Sequence, residues 1–311
     1  MFRKAHKRGI KGSHSNDSEK RKRCIMKWHV VLGYCGLNNG GIYMGKGKLI
    51  GQGRTSEIFE WEEDKILKLF RTGLPKIAIE NEYEISINIY KELKFTPKVY
   101  NLIEIDNRVG IIYERINGIT MMKETASKPW KVKKEAQQLA ELHKSIQQKV
   151  NFELPNCKTR LKDNISRTDL LQDEIKARLY GYIDELEDGN ILCHGDFHPD
   201  NILITKYGQI IIDWMTATQG NPLADVARTS ILFKFGVIPD KIFLGQQIIN
   251  FIRNKFYLEY IKHYIKLTGI KIERIEQWEL PVAAARLIEW LPKDEKVSLL
   301  NFINKKMEEI K

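Results

Sequence analysis

The pattern of apolar and polar positions divides the chain at about Met121. Between Met44 and Glu114 short apolar runs of β type recur, and Ile77–Leu93 has its apolar residues at helical spacing. The β-type runs are Lys48–Ile50, Glu57–Trp61, Lys65–Phe70, Val99–Ile105 and Val109–Glu114. This part of the chain predicts a small sheet that carries one helix.

Helical spacing dominates the chain beyond Met121. The amphipathic stretches lie near residues 129–149, 170–187, 222–234, 240–266, 273–291 and 295–310. Two short apolar runs, Asn201–Thr205 and Gln209–Asp213, interrupt them, and Lys206-Tyr207-Gly208 between these runs predicts a hairpin. The fold class is therefore predicted to be α+β, with a small sheet region followed by a larger, mostly helical region.

Size and charge add two constraints. With 311 residues and 42% hydrophobic content, the chain can form one large core or two modest ones, so two lobes are expected. The formal net charge is +11, but residues 1–43 carry +8 of it and the remaining chain only +3. Since the basic excess is confined to the N-terminal segment, where a solvated tail is the commoner meaning, no nucleic acid partner is expected.

Residues 1–43 show no sustained helical or strand period, so we expect a basic, disordered arm. Gly40-Gly41 can be encoded by a purine-rich ribosome-binding sequence just before Met44, which raises the hypothesis that the arm is untranslated leader read as protein. The run from Gly40 to Gly47 resembles a Walker loop, but Gly47 stands where the metal-binding hydroxyl is required. We therefore reject a Walker-type phosphate site there.

The cysteines and the apolar runs bear on the compartment. Cys24, Cys35, Cys157 and Cys193 form no C-x-x-C pair, which fits a reduced cytosol. No segment approaches the roughly 20 apolar residues that a membrane span requires. We expect a cytoplasmic protein with no membrane partner.

The strongest chemical signal is the run His194-Gly195-Asp196-Phe197-His198-Pro199-Asp200-Asn201, followed by the hairpin and Ile212-Asp213-Trp214. Asp196 offers a carboxylate for a hydroxyl proton, and Asn201 and Asp213 offer the hard oxygen ligands that Mg²⁺ prefers. These groups can face a single point around one hairpin, as phosphoryl transfer requires. The structural alternative is a buried Asp and Asn that cap a turn.

These residues resemble the signature of the aminoglycoside phosphotransferase and choline kinase family, whose members are relatives of the protein kinases. The resemblance covers about residues 46–305. It implies a two-lobed, protein-kinase-like fold, with a small antiparallel-sheet N-terminal ATP-binding lobe at residues 44–116 and a helical catalytic and substrate lobe at 117–311. It also implies ATP and Mg²⁺ as cofactors, Asp196 as the catalytic residue, Asn201 and Asp213 as metal ligands, and a small hydroxyl-bearing molecule as substrate.

The glycine-rich segment Ile50–Phe59 fits a hairpin whose backbone N–H groups cover phosphates. Gly51 and Gly53 occupy the first two glycine positions of the protein-kinase form, and Ser56 stands at the third. The resemblance therefore makes Gly51, Gly53 and Ser56 nucleotide-binding candidates.

Lys68 follows Gly53 by fifteen residues, within a predicted strand. A lone lysine among apolar neighbours is an edge-strand solubiliser or a phosphate ligand, and its position favours the ligand. The resemblance implies that Glu82 on the following helix holds Lys68, with Glu80 and Glu84 as the alternatives, since the helix period alone does not fix the rotation.

The segment from Tyr113 to Gly118 closes the last predicted strand of the small sheet. In the family this junction is the hinge, whose main-chain groups read the adenine edge. Glu114 and Ile116 are therefore the expected adenine-binding positions.

Three residues near the motif are expected to have structural roles. His143 shares a helix face with Leu139, and His194 is expected to support the catalytic loop. Asp225 is expected to accept loop N–H groups, with metal ligation as the alternative.

Two other function classes stay open. The short interval from Asp213 to Asp225 leaves little room for the activation loop of a protein kinase, and the filled catalytic positions disfavour a nucleotide-binding protein without turnover. The acceptor is not identified: Asp200, Glu289 and the C-terminal carboxylate of Lys311 are candidate contacts for an aminoglycoside, while choline-like and other metabolites fit the family equally well.

Overall fold

The computed structural model describes residues 46–237 and 243–309. The predicted arm of residues 1–43, the start of the helix predicted from residue 240, and Lys311 with its carboxylate lie outside the described residues.

The N-terminal region is a five-stranded antiparallel sheet with one long helix. Its strand order is β1-β2-β3-β5-β4, and helix α1, Lys76–Leu93, connects β3 to β4. The strands are β1 Leu49–Gln52, β2 Ser56–Glu60, β3 Lys65–Phe70, β4 Val99–Ile105 and β5 Arg108–Glu114. All five predicted strands are present, and the first is shifted towards the glycine-rich turn.

The C-terminal region is mostly helical. Its helices are α2 Met121–Ser127, α3 Val132–Ile146, α4 Cys157–Ser166, α5 Asp173–Glu185, α6 Pro222–Phe235, α7 Phe243–Thr268, α8 Ile272–Arg286 and α9 Lys293–Glu309. Its short strands are β6 Ile119–Thr120, β7 Ile191–Cys193, β8 Ile202–Thr205, β9 Gly208–Ile211 and β10 Thr218–Gly220. The predicted hairpin forms between β8 and β9, where Thr205 pairs with Gly208.

The apolar pattern missed helices α2 and α4 and the strands β6, β7 and β10. Helix α4 buries only Cys157 and Ile165, so it lacks a continuous apolar face. The missed strands have two or three residues, too few to show a period, and they pair with distant partners such as β7 with β10. The α+β class with an antiparallel-sheet N-terminal region and a helical C-terminal region is confirmed.

Helix α1 packs against both regions. Ile79 packs with Phe70 and Ile111 of the sheet, whereas Ile85 and Ile89 belong to the core of the helical region. The chain just after α1 is also attached there, since Ile211 donates its backbone N–H to the carbonyl of Phe95 at 2.9 Å. These contacts fix the side of the sheet that faces the helical region.

No helix among residues 46–237 and 243–309 is long and apolar enough to cross a membrane.

We predict that Ile89→Ala destabilises the protein by about 2–5 kcal/mol, because Ile89 is fully buried and its truncation leaves a cavity in the shared core. Urea unfolding of the purified chain measures this difference. The matched control is Ile77→Ala on the same helix, where the side chain is 62% exposed and the stability should stay within about 0.5 kcal/mol of the parent. Equal losses in the two variants would contradict the packing of α1.

Candidate active site

A cleft of about 3260 Å³ separates the sheet from the helical region. Its walls include the β1–β2 turn, the segment after β5, and the loop from Gly195 to Asn201. Small-molecule sites usually occupy about 300–1,000 Å³, so this cleft has room for a nucleotide and a second molecule.

Lys68 is held by two carboxylates that come from different parts of the fold. Its Nζ lies 2.6 Å from Oε1 of Glu82 and 2.9 Å from Oδ1 of Asp213. Of the three glutamates considered on α1, Glu82 is buried and contacts Lys68, whereas Glu80 lies near Lys76 and Glu84 is exposed. The sequence thus identified the correct partner of Lys68.

Electrostatics keep Lys68 protonated. Burial would lower the pKa of Lys68, but the carboxylates of Asp213 and Glu82 outweigh it and raise the pKa above its ordinary value. Tyr113 stabilises the arrangement by donating its hydroxyl to Oε1 of Glu82 at 3.1 Å. Sequence reasoning missed Tyr113 because this contact joins strand β5 to helix α1 through space.

The glycine-rich segment forms a tight turn over the cleft. Gly53 donates its N–H to the carbonyl of Ser56 at 2.8 Å, and Gly51 pairs with Ile58 beyond a β-bulge. Ser56 is buried, and Arg54 lies at the tip. Gly51, Gly53 and Ser56 all line the cleft.

The segment after β5 forms the back wall of the same cleft. Glu114 donates its N–H to the carbonyl of Lys98 at 2.8 Å, and Arg115 donates to the carbonyl of Asp64 at the same distance. Both Glu114 and Ile116 line the cleft. The two positions predicted to contact adenine are thus held in a fixed main-chain path.

Asp196 lies on the opposite wall, where two basic side chains hold its carboxylate. Arg228 donates from Nη2 to Oδ1 at 3.0 Å, and His198 donates from Nε2 to Oδ2 at 3.3 Å. The backbone N–H of Asp200 donates to Nδ1 of His198, which leaves the ring proton on Nε2. Burial would raise the pKa of Asp196, but His198 and Arg228 hold it well below its ordinary value. Asp196 is therefore a carboxylate acceptor at neutral pH.

Asn201 and Asp213 present oxygen atoms on either side of the hairpin. Asn201 donates from Nδ2 to the carbonyl of Asp196 at 2.9 Å, so the orientation of its amide directs Oδ1 away from that contact. Asp213 has a left-handed backbone, with φ of 67°, two residues after the end of β9. The carboxylate of Asp213 is partly exposed to the cleft and contacts Lys68.

Asp225 holds the loop that carries Asp196. It accepts the backbone N–H groups of His194, at 2.6 Å, and Gly195, at 2.8 Å. His143 also contacts it, at 3.0 Å from Nε2 to Oδ2, and contacts the Tyr260 hydroxyl through Nδ1 at 2.7 Å. Burial would raise the pKa of Asp225, but His143 and these donors lower it. The structural interpretations of Asp225 and His143 are confirmed.

Gly195 is required by the path of this loop. Its φ is +79°, and a Cβ atom there would lie 2.3 Å from the carbonyl oxygen of Thr216. His194 supports the same loop, because its ring contacts the carbonyl of Ile212 at 3.1 Å. The expectation that His194 supports the catalytic loop is confirmed.

Arg228 is the residue near Asp196 that sequence reasoning missed. It lies on α6, one turn after Asp225, and its Nη1 donates to Oε1 of Glu289 at 2.6 Å. The spacing of three residues from Asp225 was the available signal, since residues so spaced share a helix face.

Residues 46–251 match the model of the phosphotransferase enzyme family (APH). The fold is similar to aminoglycoside phosphotransferase APH(4)-Ia, with a TM-score of 0.58, 15% identity, and coverage of 85% of this chain and 93% of that chain. The fold is also similar to a choline/ethanolamine kinase family protein from Mesorhizobium loti, with a TM-score of 0.54, 15% identity, and coverage of 86% of this chain and 90% of that chain. For amicoumacin kinase hAmiN the TM-score is 0.56 at 13% identity, with coverage of 95% of this chain and 94% of that chain.

A search among curated protein sequences finds no match. The match to the family model nevertheless covers well over half of the chain and includes the turn, Lys68, the loop of Asp196 and Asp213. The chain belongs to the phosphotransferase enzyme family.

Proposed function

We propose that this phosphotransferase is a Mg²⁺-dependent kinase that transfers the γ-phosphate of ATP to a hydroxyl group of a small molecule. The observation that carries the proposal is the convergence of Lys68, Asn201, Asp213 and Asp196 on one cleft. These are the cation, the oxygen donors and the carboxylate that phosphoryl transfer requires.

The nucleotide is assigned to the sheet side of the cleft. Lys68 supplies a fixed positive charge for the phosphates, the glycine-rich turn with Gly51 and Gly53 lies over them, and the main chain at Glu114 and Ile116 is offered to adenine. Two solved relatives support ATP as the donor: an APH(4)-Ia variant described as a complex with AMP-PNP and hygromycin B, and hAmiN described with AMP-PNP, Ca²⁺ and Ami.

The donor set fits Mg²⁺. Asn201 Oδ1 and the Asp213 carboxylate are hard oxygen ligands, and Mg²⁺ is usually held by one or two protein oxygens together with substrate phosphates. Within residues 46–237 and 243–309, no cluster of three or more His, Cys, Asp or Glu residues forms an all-protein metal cage, which agrees with such a shared site. When bound, the ion would neutralise negative charge on the phosphate oxygens.

Asp196 is assigned the acceptor hydroxyl. Because its pKa is held well below the ordinary value, Asp196 is ionised and accepts a hydrogen bond from the hydroxyl, which it orients towards the γ-phosphate. The bond from the acceptor oxygen to phosphorus forms as the bond to the β-phosphate oxygen breaks. The hydroxyl proton passes to the Asp196 carboxylate and then to solvent.

A protein substrate is disfavoured by the short path after Asp213. A 3₁₀ turn at Trp214–Thr216, strand β10 and the start of α6 occupy the whole interval to Asp225. That path leaves no segment for a long activation loop.

The compartment proposed is the cytoplasm. Cys157 and Cys193 are buried free thiols in the described part of the chain, which suits reducing surroundings.

We predict that Asp196→Asn lowers kcat by about 10²–10⁴-fold, because the neutral amide cannot take the hydroxyl proton. Affinity for Mg-AMP-PNP should remain within about threefold, because the nucleotide contacts lie elsewhere. Steady-state ADP release and calorimetry measure the two quantities. The control is Asp184→Asn, an exposed site that should retain full turnover; an active Asp196→Asn enzyme would refute the assignment.

Asp213→Asn is expected to raise the Mg²⁺ concentration for half-maximal turnover by at least about tenfold. Loss of a residue that only supports a metal ligand already lowers metal affinity by about that factor, and Asp213 is proposed to be a ligand itself. The measurement is ADP release against total Mg²⁺ at fixed ATP. An unchanged Mg²⁺ dependence would remove Asp213 from the metal site.

Asp225→Asn is expected to cost about 1–3 kcal/mol of stability at pH 7, because two backbone N–H groups and His143 lose a charged acceptor. The folded-state pKa of Asp225 is lowered, so its contribution is complete above the unfolded value of about 3.9 and is lost as the pH falls through the folded value. Urea unfolding of the parent protein and of Asp225→Asn is measured at pH 7, 5 and 3.5. The difference between their free energies of unfolding should become smaller only at pH 3.5. A difference that already disappears at pH 5 would contradict this role.

A further inference from the structure

The acceptor side of the cleft is arranged around one glutamate that three arginines approach. Glu289 accepts from Nη1 of Arg228 at 2.6 Å and from Nη1 of Arg286 at 2.8 Å. Arg54, at the tip of the glycine-rich turn, places its Nη1 4.0 Å from the same carboxylate. Glu289 is therefore approached by three arginines, of which Arg228 also pairs with Asp196 and Arg286 also pairs with Glu295.

The other carboxylates of this wall are already engaged. Asp196 accepts from Arg228, and Glu295 accepts from Nε of Arg286 at 3.0 Å and from the N–H of Val237 at 3.2 Å. Asp200 accepts from a neutral donor, the hydroxyl of Thr120, at 3.3 Å. It is therefore the carboxylate of this wall that could bind a cation with the smallest loss of internal contacts. A polycationic acceptor would have to displace internal ion pairs to find a second or third carboxylate.

Arg160 is a cation without a matching acid. It lies on α4, lines the cleft, and donates from Nη1 to the carbonyl of Ala217 at 3.4 Å. No carboxylate contacts its guanidinium in the part of the chain that the structure describes. Burial lowers the pKa of Arg160, and the like charge of Arg228 lowers it further. Both effects would be relieved by an anion bound between the two side chains.

Arg160 lies close to the catalytic loop. Its partner Ala217 follows Thr216, whose hydroxyl donates to the carbonyl of His194 at 3.1 Å, two residues before Asp196. It also belongs to the helical region, whereas Lys68 and the glycine-rich turn belong to the sheet. Its charge is thus placed for the acceptor rather than for the triphosphate.

The charge of the whole cleft has the same sign. Thirteen Lys and Arg residues against nine Asp and Glu residues line it within the described ranges. Bound Mg-ATP would offset part of this excess on the nucleotide side. Arg160, which has no carboxylate partner among the described residues, would still favour a negatively charged group on the acceptor side of the cleft.

We infer that the acceptor carries a carboxylate in addition to its hydroxyl group, and that Arg160 binds this carboxylate. The inference rests on the proposed function and specifies its substrate class as hydroxy acids rather than polycationic or choline-like alcohols. A guanidinium is suited to this task, because its N–H groups match a carboxylate bidentately.

The test uses matched sets of hydroxyl compounds that differ in charge on one scaffold: glycerate, glycerol and serinol; glucuronate, glucose and glucosamine; and hydroxyphenylacetate, tyrosol and tyramine. A polycation, kanamycin, completes the panel. Binding of each compound to the full chain with Mg-AMP-PNP is measured by calorimetry, and turnover with Mg-ATP by ADP release. Within at least one set, the carboxylate should bind about tenfold or more tightly than its neutral and ammonium analogues.

Arg160→Gln should remove this preference by weakening carboxylate binding and raising KM, with kcat changed less than KM. Arg160→Lys should retain part of it, which separates charge recognition from a folding defect, and thermal unfolding of each variant checks the fold. Arg274→Gln, an exposed arginine paired with Glu187 away from the cleft, is the matched control and should leave the preference unchanged.

Tighter binding of the ammonium compounds or kanamycin by the parent protein would overturn the inference, as would an undiminished carboxylate preference in Arg160→Gln. Absence of binding by every carboxylate in the panel would overturn it as well. Turnover with an ammonium-bearing acceptor would refute the inference and leave the proposed kinase activity intact. Carboxylate binding through Arg160 without any ATP turnover would refute the proposed kinase activity and leave the carboxylate site intact.

Discussion

Two ion pairs of the buried Lys68 ammonium join the sheet to helix α1 and to the helical region. A charge removed from water is costly unless opposite charges meet it at close range, and Lys68 has two such partners, Glu82 and Asp213. Glu82 lies on helix α1, and Asp213 lies two residues after strand β9. The two ion pairs of Lys68 therefore hold the sheet, the helix and the helical region in place relative to one another. Lys68 and Asp213 both line the cleft, on the side proposed to hold the phosphates.

A second buried charge orders the opposite wall. Asp225 on α6 holds two successive N–H groups of the loop before Asp196, while Arg228, one turn later, holds the Asp196 carboxylate itself. One helix therefore sets both the path of the loop and the orientation of its reactive side chain. Because Arg228 also contacts Glu289, this orientation is coupled to the segment that follows helix α8.

The sequence predicted the parts of this arrangement that local pattern determines. The five strands of the sheet, the long helices and the β8–β9 hairpin follow from apolar period and turn residues, and the motif from His194 to Asn201 contributes Asp196 and Asn201 to the cleft. The family resemblance selected Glu82 among three glutamates. Strands β6, β7 and β10 were missed because pairing with distant segments creates them, and Tyr113 and Arg228 because their contacts join separate elements. The place of Arg286 and Glu289 beside Asp196 could not be predicted either, because it depends on the contact of Glu289 with Arg228 on another helix.

The family determines the chemistry, whereas the choice of acceptor depends on the particular charges of this chain, where Arg160 lines the cleft with no carboxylate partner among the described residues. ATP together with Mg²⁺ is proposed to bind on the Lys68 side of the cleft. The decisive experiment is a calorimetric titration of AMP-PNP into the parent protein, once with Mg²⁺ and once with EDTA. One nucleotide should bind per chain, and its affinity should fall by about tenfold or more without Mg²⁺. Absence of nucleotide binding, or binding indifferent to Mg²⁺, would contradict it.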